Sequence, residues 1–239
     1  MVGIFISLCS LAQTEFNKGI SSFGLMIAPS LTHHTYTMHD TSTWRNNPMR
    51  DDELPTIGFQ LGLFTTYSLN PKLELLGMLS YTQHGTQSSL TEARYADQIG
   101  GPPPPPPSSG TVTFYSYQEY FLFLDVSLGA RYYLTNGKFK AYISPCIEGN
   151  YFVRATYTNV IQYIDQETDI NTRDETDEHN FRQFNYTAAL GAGVKFPVSS
   201  KMSGFIEIKY RKMLDKVADE PVQLYPYSIG LNLGIAYNL

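Results

Sequence analysis

Apolar side chains recur at every second position along most of the chain. The clearest run is "IGLNLGIAYNL", residues 229–239. In it Ile229, Leu231, Leu233, Ile235, Tyr237 and Leu239 alternate with Gly230, Asn232, Gly234, Ala236 and Asn238. Successive side chains of a β-strand point to opposite faces, so this run predicts a strand with one apolar and one polar face. Chain ends usually fray. Alternation kept to the last residue predicts that a neighbour holds this strand on each side.

Seven further segments read the same way. They are 22–36, 56–69, 73–84, 113–134, 139–157, 184–196 and 203–213, before the closing segment 223–239. The connections between them alternate in length. "NPK", "TNGK" and "PVSSKM" are short, and Asn136-Gly137 predicts a tight hairpin. Segments 37–55, 85–112, 158–183 and 214–222 are longer. Consecutive antiparallel strands would then carry every long loop at one end, with every short turn and both termini at the other.

The two faces differ in chemistry. In 139–157, Phe139, Ile143, Ile147, Tyr151, Val153, Ala155 and Tyr157 lie opposite Lys140, Cys146, Glu148, Phe152 and Arg154. In 113–134, Leu122, Leu124, Val126, Leu128 and Tyr132 lie opposite Phe123, Asp125, Arg131 and Tyr133. The apolar face carries no charge through the middle of any segment. The polar face mixes Gly, Ala and Ser with five acids, Glu74, Glu119, Asp125, Glu148 and Glu207. It also holds six bases, Arg131, Lys140, Arg154, Lys195, Lys209 and Arg211. Such near-balance suits an enclosed interior, where an unpaired charge is heavily penalised.

Aromatic residues gather at both ends of the apolar face. Tyr67, Tyr132, Phe139, Phe196 and Tyr237 fall at the short-turn end. Tyr81, Tyr120, Tyr157, Phe184, Tyr210 and Tyr225 fall toward the long loops. Two aromatic girdles mark a barrel in lipid, whereas soluble eight-stranded barrels put their apolar face inside. The expected fold is therefore all-β, an eight-stranded antiparallel up-and-down transmembrane β-barrel. The expected location is the bacterial outer membrane, with termini periplasmic and long loops extracellular.

Composition adds two constraints. Mean hydropathy is −0.22, and no run approaches the roughly 20 apolar residues of a membrane helix. Net charge is −5 with no basic cluster, which argues against nucleic acid as a partner. The opening "MVGIFISLCSLAQT" is an apolar run followed by small Ser10 and Ala12. It predicts a signal peptide over 1–12 and a barrel domain over 13–239. No Lys or Arg precedes Lys18, so the basic start of such a signal is missing. A buried strand and a lipoprotein cysteine at Cys9 are the other readings, although Leu8 is large for a lipobox. Cleavage would leave Cys146 as the sole thiol and exclude an internal disulfide.

"LELLGMLSYTQHG", "EYFLFLDVSLGARYYL" and the ending "GIAYNL" together resemble the small outer-membrane β-barrels common in Bacteroidota, which include PorT-like proteins and share the OmpA-like eight-stranded barrel. The likeness spans about 13–239. Asp125 stands where that family often has Pro. The resemblance implies the fold and the envelope location, and for PorT-like members a part in protein secretion. It also implies insertion by the barrel-assembly machinery through the C-terminal strand.

Candidate chemistry is sparse. Eight strands enclose a space that side chains just fill, so the polar-face charges are expected to form an ion-paired plug, with a narrow pore as the alternative. "DQETDINTRDETDEH" holds seven acids, but Ile170 and Thr176 stand where an EF-hand needs Gly and Glu. A solvated loop is expected there. His33, His34, His39 and Asp40 cluster without a metal-ligand motif. His84 and His179, with Ser80, Ser88 and Ser89 nearby, are placed at the rim. There they could serve a lipid-modifying enzyme only if a third group oriented them. "GGPPPPPPSSG" reads as a stiff polyproline II spacer. The expectation is a non-enzymatic scaffold, adhesin or secretion accessory without a cofactor. It would meet outer-membrane lipid and an envelope or secretion partner.

Overall fold

The computed structural model describes residues 19–38, 53–89, 91–92, 112–163, 168–176, 181–218 and 222–239. Among these residues ten strands form: β1 (Gly19–Met38), β2 (Glu53–Asn70), β3 (Leu73–Ser88), β4 (Thr91–Glu92), β5 (Val112–Tyr133), β6 (Lys140–Tyr163), β7 (Asp169–Asp174), β8 (Phe184–Pro197), β9 (Met202–Met213) and β10 (Val222–Asn238). All pairings are antiparallel. Eight of the strands close a ring in the order β1-β2-β3-β5-β6-β8-β9-β10, and β10 returns to β1. No helix occurs among the described residues.

The closing seam explains the ordered chain end. "IGLNLGIAYNL" pairs with β1, with Leu25 opposite Ile235, Ile27 opposite Leu233 and Leu31 opposite Ile229. It pairs on its other edge with β9. These apolar residues all point outward and are exposed, as are Leu63, Leu79, Val126, Leu128 and Ile147. A continuous apolar outer wall has no stable partner but lipid. Inward positions at the seam are small for a steric reason. A Cβ on Gly24 would meet the Ile235 carbonyl at 2.1 Å, and one on Gly234 would meet the Phe205 ring at 2.2 Å.

Outer aromatics form the expected girdles in part. Phe23 meets Tyr237 at 5.7 Å and Phe139 meets Phe196 at 6.4 Å at the turn end. Phe59 meets Tyr81 at 6.1 Å and Tyr151 meets Phe184 at 5.2 Å toward the loops.

Three expectations need correction. The β5–β6 connection is not a two-residue hairpin. It is a wider turn over 134–139, in which Thr135 Oγ1 accepts from the Ala141 amide at 2.8 Å and Gly137 takes φ 137°. Only glycine adopts that φ without strain. Second, loops 85–112 and 158–183 contain further strand. β5 and β6 run on beyond the ring, flanked by β4 and β7. Third, the alternation in β6 breaks. The pairing passes from Leu122↔Arg154 to Phe123↔Phe152, so Val153 is a bulge. One extra residue swaps the faces beyond it. Ala155 and Tyr157 therefore turn inward rather than toward lipid, and Arg154 turns outward.

Candidate functional site

The inward side chains form stacked layers. At the turn end, Glu74 on β3 accepts from the Tyr133 hydroxyl at 2.6 Å and from Lys195 Nζ at 3.0 Å. Arg131 lies 3.8 Å from the same carboxylate and is only 2 % exposed. Its guanidinium sits 4.2 Å from the Phe205 ring centre and 5.0 Å from that of Tyr142. A planar cation can stack in this way where an ammonium would lose its hydration. Lys140 lies 5.5 Å over the Tyr133 ring.

The middle layer crosses the barrel. Glu148 on β6 meets Lys209 at 3.3 Å and Arg211 at 3.6 Å, both from β9. Arg211 also donates to Gln60 and, at 3.4 Å, to Asn232. Asn232 Nδ2 and Ser144 Oγ donate to Glu207 at 2.8 and 2.7 Å. Asp125 is held by Thr82 and by Asn150 Nδ2 at 2.8 Å, and Thr187 in turn donates to Asn150 at 2.7 Å. Glu119 is buried nearer the loops. Such pairs are stable only when their remaining polar atoms are also bonded; here the carboxylates find donors, while Arg131 Nε, Arg211 Nε and Ser127 Oγ have no hydrogen-bond partner among the described residues.

An apolar cluster occupies the loop-side lumen. Phe121, Phe123, Phe152, Ala155, Met213, Val217 and Leu224 form one buried cluster, with Phe181 against it. Phe152 stacks on Phe181 at 4.7 Å and meets Phe123 edge-on at 5.8 Å. The segment after β9 closes over this cluster. Arg182 N donates to Val217 O at 2.8 Å and Val217 N to Leu224 O at 2.9 Å. Val217 is fully buried. Above it, His34 Nε2 lies 2.8 Å from Glu53 Oε2. Tyr117 donates to Glu53 Oε1 at 2.5 Å and stacks on Tyr157.

Of the eleven charged residues predicted to line the lumen, ten lie there. Arg154 does not. The bulge puts it outside, where it bonds Asp174 at 2.7 Å with its side chain 52 % exposed. His84 is not at the rim either. It is buried inside the barrel, edge-on to Phe123 at 5.9 Å, which removes it from any lipid-facing site. His39, Asp40, His179 and the proline-rich stretch lie outside the described residues. Among the described residues no three His, Cys, Asp or Glu side chains converge as metal ligands. Sequence reasoning missed the apolar plug as a unit, although Phe123 and Phe152 on the polar face were its visible trace.

Residues 23–211 match the outer membrane protein beta-barrel domain family. The chain belongs to that family. Membership agrees with the apolar outer wall and places the protein in the outer membrane. Similar solved structures include Neisserial surface protein A (12 % identity, TM-score 0.43, covering 93 % of this chain and 100 % of that one). OprG of Pseudomonas aeruginosa aligns at 13 % identity and TM-score 0.41, covering 92 % and 99 %. Ail of Yersinia pestis aligns at 12 % identity and TM-score 0.35, covering 90 % and 99 %. None of these bears on activity. No curated protein matches the chain.

Proposed function

We propose that the protein is a non-conducting, non-enzymatic outer-membrane barrel that acts as a structural or interaction protein through its loop end. The observation carrying this is the filled lumen. Ion-paired layers occupy its turn-side and middle parts, and Val217 with the phenylalanine cluster occupies the rest. A closed interior leaves the outer surface and the loops as the parts that can meet other molecules. The extended β5–β6 sheet with β4 and β7 supports that reading, since it lifts binding surface away from the lipid. The turns and both chain ends face the periplasm in this reading, and the long loops face outward. The closing strand 229–239 would present the signal that barrel-assembly machinery recognises. An envelope or secretion partner, as for PorT-like barrels, is the expected class of ligand.

Planar-bilayer recording of the purified barrel tests the closed lumen. No steady current is expected, and sustained open-channel steps would overturn the proposal. A pull-down with the loops intact, repeated with 168–176 replaced by Gly and Ser, should lose its partner if the loop end carries binding.

A further inference from the structure

Among the described residues, the turn end of the lumen carries a lysine that no acid pairs. Lys140 on β6 and Lys195 on β8 are direct cross-strand partners, and both border the same vestibule. Like charges placed opposite each other destabilise a sheet. Glu74 answers only one of them, at 3.0 Å from Lys195 Nζ. Among the described residues Lys140 has no acid and rests over the Tyr133 ring. The vestibule holds about 330 Å³ and is also lined by Lys138, Ser199, Ser200 and Asn238. Several of its donors are free. Ser203 Oγ donates to Asn238 Oδ1 at 3.0 Å, which leaves the Asn238 amide hydrogens available. Ser199 Oγ accepts from the Lys201 amide at 3.3 Å, which leaves its own proton to give.

Ammonium groups and hydroxyls around a small polar space suit the two non-bridging oxygens of a phosphodiester. The rim indicates where that phosphate comes from. Phe196 lines the vestibule and also pairs with Phe139 on the lipid-facing wall, where Val198 and Leu134 are exposed as well. A molecule with its phosphate in the vestibule would have acyl chains lying along these residues. We propose that the turn end binds the phosphate of an anionic phospholipid from the adjoining leaflet, held by Lys138, Lys140 and the Asn238 amide. This rests on the turns facing the periplasmic leaflet.

The test is native mass spectrometry of the full chain in detergent micelles, titrated with phosphatidylglycerol, with diacylglycerol or with inorganic phosphate. Micelles have no leaflets, so the result does not depend on orientation; thiol labelling of Lys72→Cys in whole cells reads orientation separately. One phosphatidylglycerol should be retained and diacylglycerol should not. Lys138→Gln with Lys140→Gln should weaken retention about tenfold or more, while Lys140→Arg keeps it. Heat-modifiable gel mobility confirms that each variant is folded. Equal retention of diacylglycerol, undiminished binding by the folded double Gln variant, or displacement of the lipid by an equal concentration of inorganic phosphate would each overturn the proposal.

Discussion

The turn-side and middle lumen sets Glu74, Arg131 and the Glu148–Lys209–Arg211 group beside buried Met26, Phe64, Met78 and Phe205, whereas the loop-side lumen packs Phe121, Phe123, Phe152 and Phe181 around Val217. Both halves fill the barrel interior with side chains, but by different means. In the charged half each group needs particular partners from across the barrel, because a buried charge without one is severely destabilising. That half therefore fixes which strands face each other and at what height. The apolar half asks only that space be filled, since dispersion and burial have no direction. It can accept a segment from outside the ring, and residues 214–218 are that segment.

The contrast is broken most strongly at Glu148. Glu148→Ala leaves Lys209 and Arg211 together without an acid and should cost about 3–5 kcal/mol, measured by urea unfolding in lipid vesicles. Replacing Glu148, Lys209 and Arg211 together by Met, Leu and Met should be far milder. If the single and triple variants lose stability equally, the charges do not act as a paired unit.

A smaller loss is expected in the apolar half. Phe123→Ala should cost about 3 kcal/mol from lost burial and the cavity left behind. Its distinguishing sign is local. Amide exchange at Arg182 and Val217, whose hydrogen bonds hold 214–218 in place, should speed up. Exchange in the β3–β5 pairs around Glu74 and Arg131 should not change. Uniform acceleration would show that the two halves are a single cooperative unit.

The smallest effect is expected outside the lumen. Two hydrogen bonds from Thr176, from hydroxyl and amide, together with Arg154, hold the exposed Asp174 carboxyl below the usual aspartate range. A depressed folded value means that this contact stabilises the β7 end above the ordinary aspartate pKa and fades as pH falls through the lowered one. Exchange at the Thr176 amide should therefore be unaffected down to the ordinary aspartate range and rise only below it. Asp174→Asn should abolish that pH dependence while leaving the global unfolding midpoint in place. A midpoint shift comparable to that of Phe123→Ala would mean that the β6–β7 hairpin is part of the barrel's stability.

Much of this was legible in the chain because a strand's period of two assigns faces without knowledge of the neighbours. Leu122 to Tyr133 and the residues of 229–239 sort into lumen and lipid by parity alone, and the structure keeps that sorting. The same rule fails at Arg154. A bulge is a two-strand event, set by how β5 and β6 align, and Val153 carries no residue type that announces it. His84 failed for a related reason. β3 continues to Ser88, so a position taken for the rim lies inside.

Side-chain order alone was enough to set alternating strands, an apolar face outermost, long connections at one end and charges of both signs in the interior. These follow from side-chain alternation and the cost of a charge in lipid. The tertiary structure alone decided which charges meet, because contacts such as Glu148 with Lys209 and Glu74 with Lys195 depend on the stagger of strands far apart in the chain. It also decided that phenylalanines and residues 214–218 seal the loop end, and that Lys140 faces Lys195 while Glu74 pairs with Lys195 alone. Those outcomes arise from closing the ring, which no single strand encodes.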